Sequence, residues 1–359
     1  MLDKTLPAAW RVADLENDRS WVFAIDEAAR AHLNQAVKKA FVPDRSLLDY
    51  ARRDIDLGPA LPVIVAAMRE AHHGRGFALL KGLPRAGLSE KEFEFLNWAI
   101  GLHTGVARPQ GKATQYISPV RDAGVDYRSA SGRGYSSNAK LDFHVDGSDL
   151  VTLGCYNAAK SGGMSMVTSS LSALACLEKE YPALAEVARR DFYFSRQNEQ
   201  AEDEGPAYGQ PLFDEIGGHI FCKWNRNRVQ SAQKIEGVTP LTPQQRETMD
   251  VLDAILQRPE LMFTMHLEPG DMQILNNHTM LHSRTDFVDF DKAEEKRLLC
   301  RLWLAPPDSV RMPASWKHFY RSVEPGSVRG GIRGHNYTEA CRAFEIRQAA
   351  DLGMSTTIA

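Results

Sequence analysis

Short apolar runs that alternate with polar residues fill the chain from Leu141 onward, and turn residues separate them. Such segments predict β-strands. They read LDFHVD, LVTLGCYNA, MSMVTSS, DFYFSR, HIFCKW, FTMHLEPGD, MQILNNH, TMLHSRTDF and RLLCRLWL. Helical patterns interrupt them at about 170–188 and about 242–257, the second with Thr242 as N-cap and Pro243 in its first turn. This pattern predicts a mainly β fold with some α-helix, namely a double-sheet jelly roll core with flanking helices.

Helical spacing dominates the chain before this region. An amphipathic helix is predicted from Pro62, then a buried strand over GFALLKG, then a helix from Ser89 to about Ile100. Ser89 and Glu92 have the spacing of a capping box. Residues 105–140 are rich in Gly, Ser, Arg and Tyr without a firm period, which predicts a long loop region beside a site.

Composition excludes several classes of function. The 359 residues carry a formal net charge of -3 with both signs interspersed, so no basic surface for nucleic acid is indicated. No apolar run approaches the roughly 18 residues of a membrane helix, and the N-terminus has no apolar signal segment. Five scattered cysteines without a CxxC pair are typical of reduced thiols. We therefore expect a cytoplasmic protein without a membrane or nucleic-acid partner; the sequence does not indicate its oligomeric state.

A possible metal site is divided between two distant segments. In a strand, residues i and i+2 point to one face, so His144 and Asp146 present an imidazole and a carboxylate side by side. A downstream histidine completes a set that suits Fe(II) and leaves one face of the metal open. His282 and His278 both occur there, and both face one side if their segment is a single strand. The alternative for the first pair is a polar strand end facing solvent.

A pair of arginines follows in a strongly apolar strand. Arg297 and Arg301 are four residues apart, which again places them on one face. A buried arginine needs an anion, and guanidinium binds carboxylates through two parallel hydrogen bonds. The pair therefore suits a dicarboxylate cosubstrate or an acidic substrate. The alternative is that each side chain reaches solvent from an edge strand.

The motif order resembles a known family. HxD, KSGGMS, LEPGDMQILNN, LHSRTDF and KRLLCRLWL follow one another as in the taurine dioxygenase/clavaminate-synthase-like (TauD/TfdA) superfamily of Fe(II)- and 2-oxoglutarate-dependent oxygenases. The resemblance extends from Gly76 to Leu304, and the combination of motifs carries it. It implies a distorted double-stranded β-helix. We expect a single catalytic domain over 1–359, with a core at about 76–304, an N-terminal extension and a C-terminal tail.

The resemblance also implies roles for individual residues. His144, Asp146 and His282 would bind iron, because the family uses its HxD pair and the histidine of LHxR. Arg297, the first arginine of the late strand, would bind the distal carboxylate of 2-oxoglutarate. Asp146 disfavours halogenation, since halogenating relatives have Ala or Gly at that position. The implied cofactors are Fe(II), 2-oxoglutarate and O2.

Further residues are candidates for contacting the cosubstrate and the substrate. Ser165 stands in GGMS where relatives have a threonine that touches 2-oxoglutarate, so it is the cosubstrate candidate. Arg301, Asp149 and Tyr135 are candidates for binding the substrate. The resemblance implies hydroxylation of a small molecule such as an amino acid or another small carboxylate, with 2-oxoglutarate converted to succinate. Desaturation, cyclisation or C–C cleavage with the same cofactors, and a non-catalytic binding jelly roll, are the alternatives.

Overall fold

Two β-sheets with helices outside them form the core, so the predicted double-stranded β-helix with flanking helices is confirmed. This computed structural model describes residues 6–124 and 137–356. The α-helices of this part are α1 (Val12–Asn17), α2 (Glu27–Ala40), α3 (Leu61–His73), α4 (Glu90–Thr104), α5 (Ser170–Glu180), α6 (Pro182–Ala188), α7 (Arg226–Ala232), α8 (Pro243–Leu256), α9 (Lys317–Tyr320) and α10 (Glu339–Leu352).

The strands run from the N-terminal region to the C-terminal tail. They are β1 (Val22–Ala24), β2 (Phe77–Lys81), β3 (Val106–Arg108), β4 (Ile117–Val120), β5 (Leu150–Asn157), β6 (Ser161–Gly162), β7 (Ser165–Ser169), β8 (Asp191–Ser195), β9 (Ala207–Pro211), β10 (Phe213–Ile216), β11 (His219–Cys222), β12 (Met262–Met265), β13 (Met272–Asn276), β14 (Met280–Arg284), β15 (Phe287–Val288), β16 (Leu298–Ala305), β17 (Ser327–Val328) and β18 (Ser355–Thr356).

The larger sheet has the order β1-β2-β13-β5-β16-β3, and β4 also pairs with β16. Only its β1–β2 pairing is parallel; the other pairings are antiparallel. The smaller sheet has the antiparallel order β12-β7-β14. The predicted N-terminal extension therefore contributes an edge strand to the main sheet.

Alternation along β16 separates a helix-covered face from a face toward the site. Cys300, Leu302 and Leu304 pack in the apolar cluster that contains the buried side of α3 and α4. Leu299 and Trp303 belong to the cluster between the two sheets. Because a strand has a period of two, the odd-numbered residues of this segment face the interior of the β-helix.

Capping residues in the sequence located the starts of α4 and α8 correctly. The predicted capping box of Ser89 with Glu92 forms, and the predicted N-cap Thr242 forms a further capping box with Gln245. The predicted helix at 170–188 is instead two helices, α5 and α6, which meet at Tyr181. Pro182 is the cause: it has no N–H to continue the hydrogen-bond ladder of α5, but it suits the first turn of α6.

The C-terminal tail is anchored on the main sheet by one buried carboxylate. Glu345 of α10 pairs with Arg108 of β3 at 2.8 Å and accepts hydrogen bonds from Tyr116 and Tyr337 at 2.7 and 2.9 Å. The segment before α10 then passes over the site, where the backbone N–H of Gly331 donates to the carbonyl of Gly147 at 2.6 Å. This segment of the C-terminal tail therefore closes one wall of the site.

Candidate active site

A backbone bridge brings the two halves of the predicted metal site together. The N–H of each of His144 and His282 donates to the carbonyl of the other at 3.0 Å, and the ring centroids are 4.4 Å apart. The segment LDFHVD is not the regular strand that its pattern predicts. His144 forms two isolated bridges, with His282 and with Asn225, and the next N–H, that of Val145, donates to the carbonyl of Trp224.

Three potential ligand atoms converge at this bridge. His144, Asp146 and His282 each offer one, and these atoms all lie within 4.8 Å of one another. Nδ1 of His144 lies 2.9 Å from the carbonyl oxygen of Asp142. A carbonyl can only accept, so Nδ1 donates and the Nε2 lone pair of the neutral ring is available to a metal. Oδ2 of Asp146 is buried and has no hydrogen-bond partner among the described residues. This donor set fits Fe(II).

The surroundings hold these groups in the protonation states that bind metals. Burial, followed by the neighbouring His144, lowers the pKa of His282 to about 3, which keeps the ring neutral at physiological pH. Burial opposes ionisation of Asp146. The positive charge of Arg301 outweighs that effect and holds the pKa of this carboxyl below its usual value.

One cavity contains the trio and the arginine pair. Arg297, Leu299, Arg301 and Trp303 all line it, as the period of a strand predicts for β16 and the residue before it. Arg297 is 5% exposed, and its guanidinium carbon lies 5.0 Å from the ring centroid of Phe287. Its Nη1 is buried without a hydrogen-bond partner among the described residues. A buried guanidinium of this kind is suited to binding an anion that enters the cavity.

Arg301 has a different environment within the same wall. Its Nε donates to Oε1 of Gln110 at 2.8 Å, and its Nη1 lies 3.4 Å from Oδ1 of Asp146. It therefore orients the carboxylate of the trio. Its proposed contact with substrate stays a prediction.

Polar side chains around the trio hold its backbone and the cavity floor. Oδ1 of Asn277 accepts from the N–H of Asp146 at 3.0 Å, so this amide supports a ligand residue. Asn276 instead caps a turn, accepting from the N–H of His278 at 2.9 Å. Ser165 lines the cavity, and its hydroxyl donates to Oε1 of Gln273 at 2.8 Å.

Comparison with known proteins identifies the family. The model of the family described as "Taurine catabolism dioxygenase TauD, TfdA family" matches residues 44–303. The chain belongs to this TauD, TfdA family. It is 29% identical over 316 residues to FR-33289 synthase of Streptomyces rubellomurinus, which covers 86% of this chain and 92% of that protein. It is 26% identical over 325 residues to the taurine hydroxylase-like protein SAT17 of Stachybotrys chartarum, covering 83% of this chain and 81% of that protein.

Solved structures share the fold of this TauD, TfdA-family chain. Asparagine oxygenase in complex with Fe(II), 2S,3S-3-hydroxyasparagine and succinate has a TM-score of 0.64 at 16% identity, covering 82% of this chain and 98% of that chain. The non-heme iron oxygenase OrfP in complex with Fe, succinate and (3S)-hydroxy-L-Arg has a TM-score of 0.59 at 13% identity, covering 85% and 99%. The protein is thus an Fe(II)- and 2-oxoglutarate-dependent dioxygenase acting on a small molecule. In the described part of the chain, no helix is long and apolar enough to cross a membrane.

One predicted substrate residue, Asp149, does not line the cavity of this TauD, TfdA-family enzyme. Asp149 was expected near the substrate, but its carboxylate is fully buried in an ion pair with Arg329 at 2.6 Å and a contact with His278 at 3.0 Å. Burial opposes its ionisation, yet Arg329 lowers the pKa of Asp149 well below its usual value. The same contact directs His278 away from the trio, because this residue lies in the turn before β14. Tyr135 lies outside the described residues.

Sequence reasoning missed a lysine in the cavity wall. Lys223 follows β11 directly, is 3% exposed and lines the cavity. Burial, and then the neighbouring Arg228, lower its pKa to about 7. A charged residue between Cys222 and Trp224, at the end of an apolar strand, was the signal available in the sequence.

Proposed function

We propose that His144, Asp146 and His282 hold the iron of this oxygenase and that Arg297 binds the distal carboxylate of 2-oxoglutarate. One observation carries this proposal. Two imidazoles, a carboxylate and a buried guanidinium line one cavity, and one oxygen of the carboxylate and one nitrogen of the guanidinium have no hydrogen-bond partner among the described residues. The donor types match Fe(II), and the guanidinium matches a carboxylate.

The protein's part in the reaction is to bind, orient and exclude water. Bound Fe(II) and 2-oxoglutarate supply the oxidation of a substrate C–H bond by O2, with loss of CO2 and formation of succinate. Asn277 fixes the backbone of Asp146, while Arg301 fixes its carboxylate. Trp303 and Phe319 give the cavity apolar walls that limit the access of water. Ser165 adds a hydroxyl at the cavity surface, where 2-oxoglutarate would lie.

We further propose that the reaction is hydroxylation of an amino acid or another small carboxylate. Two structures with this fold support the class: asparagine oxygenase holds 3-hydroxyasparagine and succinate, and OrfP holds (3S)-hydroxy-L-Arg and succinate. Asp146 supports it as well, since a carboxylate ligand leaves no place for a halide on that side of the iron.

An anaerobic titration tests the cofactor assignment. Purified protein is mixed with Fe(II) and then 2-oxoglutarate while the visible charge-transfer band of the chelate is followed. We expect the band in the wild-type protein and its loss in His282→Ala. Admission of O2 with a panel of amino acids should then give a product 16 mass units heavier for the true substrate. A full band in His282→Ala would refute the ligand assignment.

The expected single domain and cytoplasmic location are also proposals. One sheet joins β1 of the N-terminal region to β16 near the end of the predicted core, which supports one folding unit. All five cysteines are buried free thiols, which supports a reducing compartment. Two separate unfolding transitions, or disulfides found by mass spectrometry of protein from its native cell, would refute the respective proposal.

A further inference from the structure

The described walls of the cavity carry more positive than negative charge. Its cationic members are Lys223, Arg228, Arg284, Arg297 and Arg301, and its carboxylates are those of Asp146 and Glu199. Fe(II) and doubly ionised 2-oxoglutarate have opposite and equal charges, so their binding leaves this excess unchanged. Buried charge of one sign is costly unless an opposite charge is present.

Most of these cations have partners in the protein or an assignment already. Arg228 pairs with Glu199 at 2.7 Å. Arg284 donates to the carbonyls of Ser137 and Ala139 at 2.8 and 2.6 Å. Arg301 is held by the carboxylate of the trio, as described above, and Arg297 is assigned to the cosubstrate. Among the described residues, Lys223 remains without a hydrogen-bonding or ion-pair partner for its side chain and without an assignment to the cosubstrate.

Lys223 is fixed in the cavity wall, and no carboxylate of the described residues contacts its ammonium group. Its backbone N–H donates to the carbonyl of Leu212 at 2.8 Å, which anchors the residue beside the end of β11. Its ammonium lies 4.3 Å from the ring centroid of Phe319 and 5.9 Å from that of Tyr320. Across residues 6–124 and 137–356, no carboxylate lies within ion-pair distance of it. The aromatic faces offset only part of the cost of burying an ammonium group, so burial lowers the pKa of Lys223, and an anion beside it would favour the charged form.

We propose that Lys223 binds an oxyanion of the substrate, so that the enzyme selects a small molecule with a terminal carboxylate, sulfonate or phosphonate. This inference rests on the proposed function, because the same cavity contains the trio and Arg297. A substrate oxyanion against Lys223 would place a negative charge beside an ammonium group that no described carboxylate contacts. Lys223 would then determine which substrates bind, while the cosubstrate is bound elsewhere.

The test compares four two-carbon amines with different terminal groups. β-Alanine, taurine and 2-aminoethylphosphonate carry a carboxylate, a sulfonate and a phosphonate, and ethanolamine has no oxyanion. Each is titrated anaerobically into the wild-type protein loaded with Fe(II) and 2-oxoglutarate, and its dissociation constant is read from perturbation of the visible band. The variants are Lys223→Met, Lys223→Arg and, as a control with an exposed lysine, Lys234→Met.

We expect at least one oxyanion probe to bind more tightly than ethanolamine. Lys223→Met should weaken that probe roughly 10- to 100-fold, as the loss of a hydrogen bond to a charged group implies. Lys223→Arg should recover part of the affinity, and Lys234→Met should bind like the wild type. The probe that binds most tightly identifies the oxyanion.

Three results would overturn the inference. In the first, the wild-type protein binds no oxyanion probe more tightly than ethanolamine. In the second, Lys223→Met binds the oxyanion probe as tightly as the wild type does. In the third, Lys223→Met loses affinity for 2-oxoglutarate by the same factor as for the probe. The last would assign Lys223 to the cosubstrate. A wild-type protein that forms no band at all refutes the proposed function instead, so the two failures are distinguishable. Normal band formation in Lys223→Met shows that the variant folds.

Discussion

Replacing Arg297 with methionine removes a buried cation while keeping an unbranched side chain in the wall of the cavity. The guanidinium is 5% exposed, and its Nη1 has no protein partner among the described residues, so its hydrogen bonds are available to a ligand. Truncating one partner of a buried, hydrogen-bonded charge pair costs about 3–5 kcal/mol. The dissociation constant of 2-oxoglutarate should therefore rise roughly 100- to 3,000-fold.

The assay is the anaerobic titration of the Fe(II)-loaded variant with 2-oxoglutarate. Arg297→Lys should lie between the wild type and the methionine variant, because it keeps the charge but loses the planar pair of donors. Arg190→Met, at an exposed position, is the matched control. An unchanged dissociation constant in Arg297→Met would refute the assignment and move the role to Arg301 or Lys223. The affinity for Fe(II) should stay unchanged, since Arg297 is not one of the three ligand residues.

Three further predictions concern the ligands, the buried ion pair and the packing beside the trio. His144→Ala should abolish Fe(II) binding, measured by metal content after dialysis, and wild-type content would contradict its role as a ligand. Asp149→Asn should lower the free energy of unfolding in urea by about 3–5 kcal/mol at neutral pH, because it leaves the buried Arg329 without its carboxylate. The double variant with Asp149→Asn and Arg329→Met should be less destabilised than Asp149→Asn alone. Additive losses of stability from the two substitutions would contradict the pairing. Since the pKa of Asp149 is lowered in the folded state, its contribution is fully present above about pH 4 and declines as the pH falls below that, so the two stability curves should converge in acid. Gly147→Ala should lower both thermal stability and succinate formation, because a Cβ there would lie 2.6 Å from Cζ of Phe319; an unchanged melting temperature would show that the ring moves aside freely.

Local rules predicted the parts of the site that lie within one segment. The period of a strand placed Arg297 and Arg301 on one cavity wall. The spacing of His144 and Asp146 gave their common direction even though only isolated bridges, and no regular strand, form there. Capping signals located the starts of α4 and α8 because the bonds involved join residues three apart.

Other features depend on residues that are distant along the chain. Asp149 and Arg329 are 180 positions apart, and nothing in their local sequences indicates that they pair. The choice between His278 and His282 depended on where the turn before β14 ends, which the alternation of residues does not define. Among the residues predicted for the substrate, Asp149 lies outside the cavity lining, whereas Arg301 lines the cavity and its contact with substrate stays a prediction.

The sequence by itself determined the chemistry that this chain can support: two imidazoles, a carboxylate and an arginine pair, in an order that marks the family. It determined the short strands and capped helices as well, because hydrophobic periodicity and capping are properties of neighbouring residues. Only the tertiary structure decided which charges are neutralised inside the protein and which remain for a ligand. Asp149 is matched by Arg329, whereas Lys223 faces the cavity without a carboxylate in contact among the described residues. The physical reason is that the cost of a buried charge depends on its neighbours in space, which the chain brings together only when it folds.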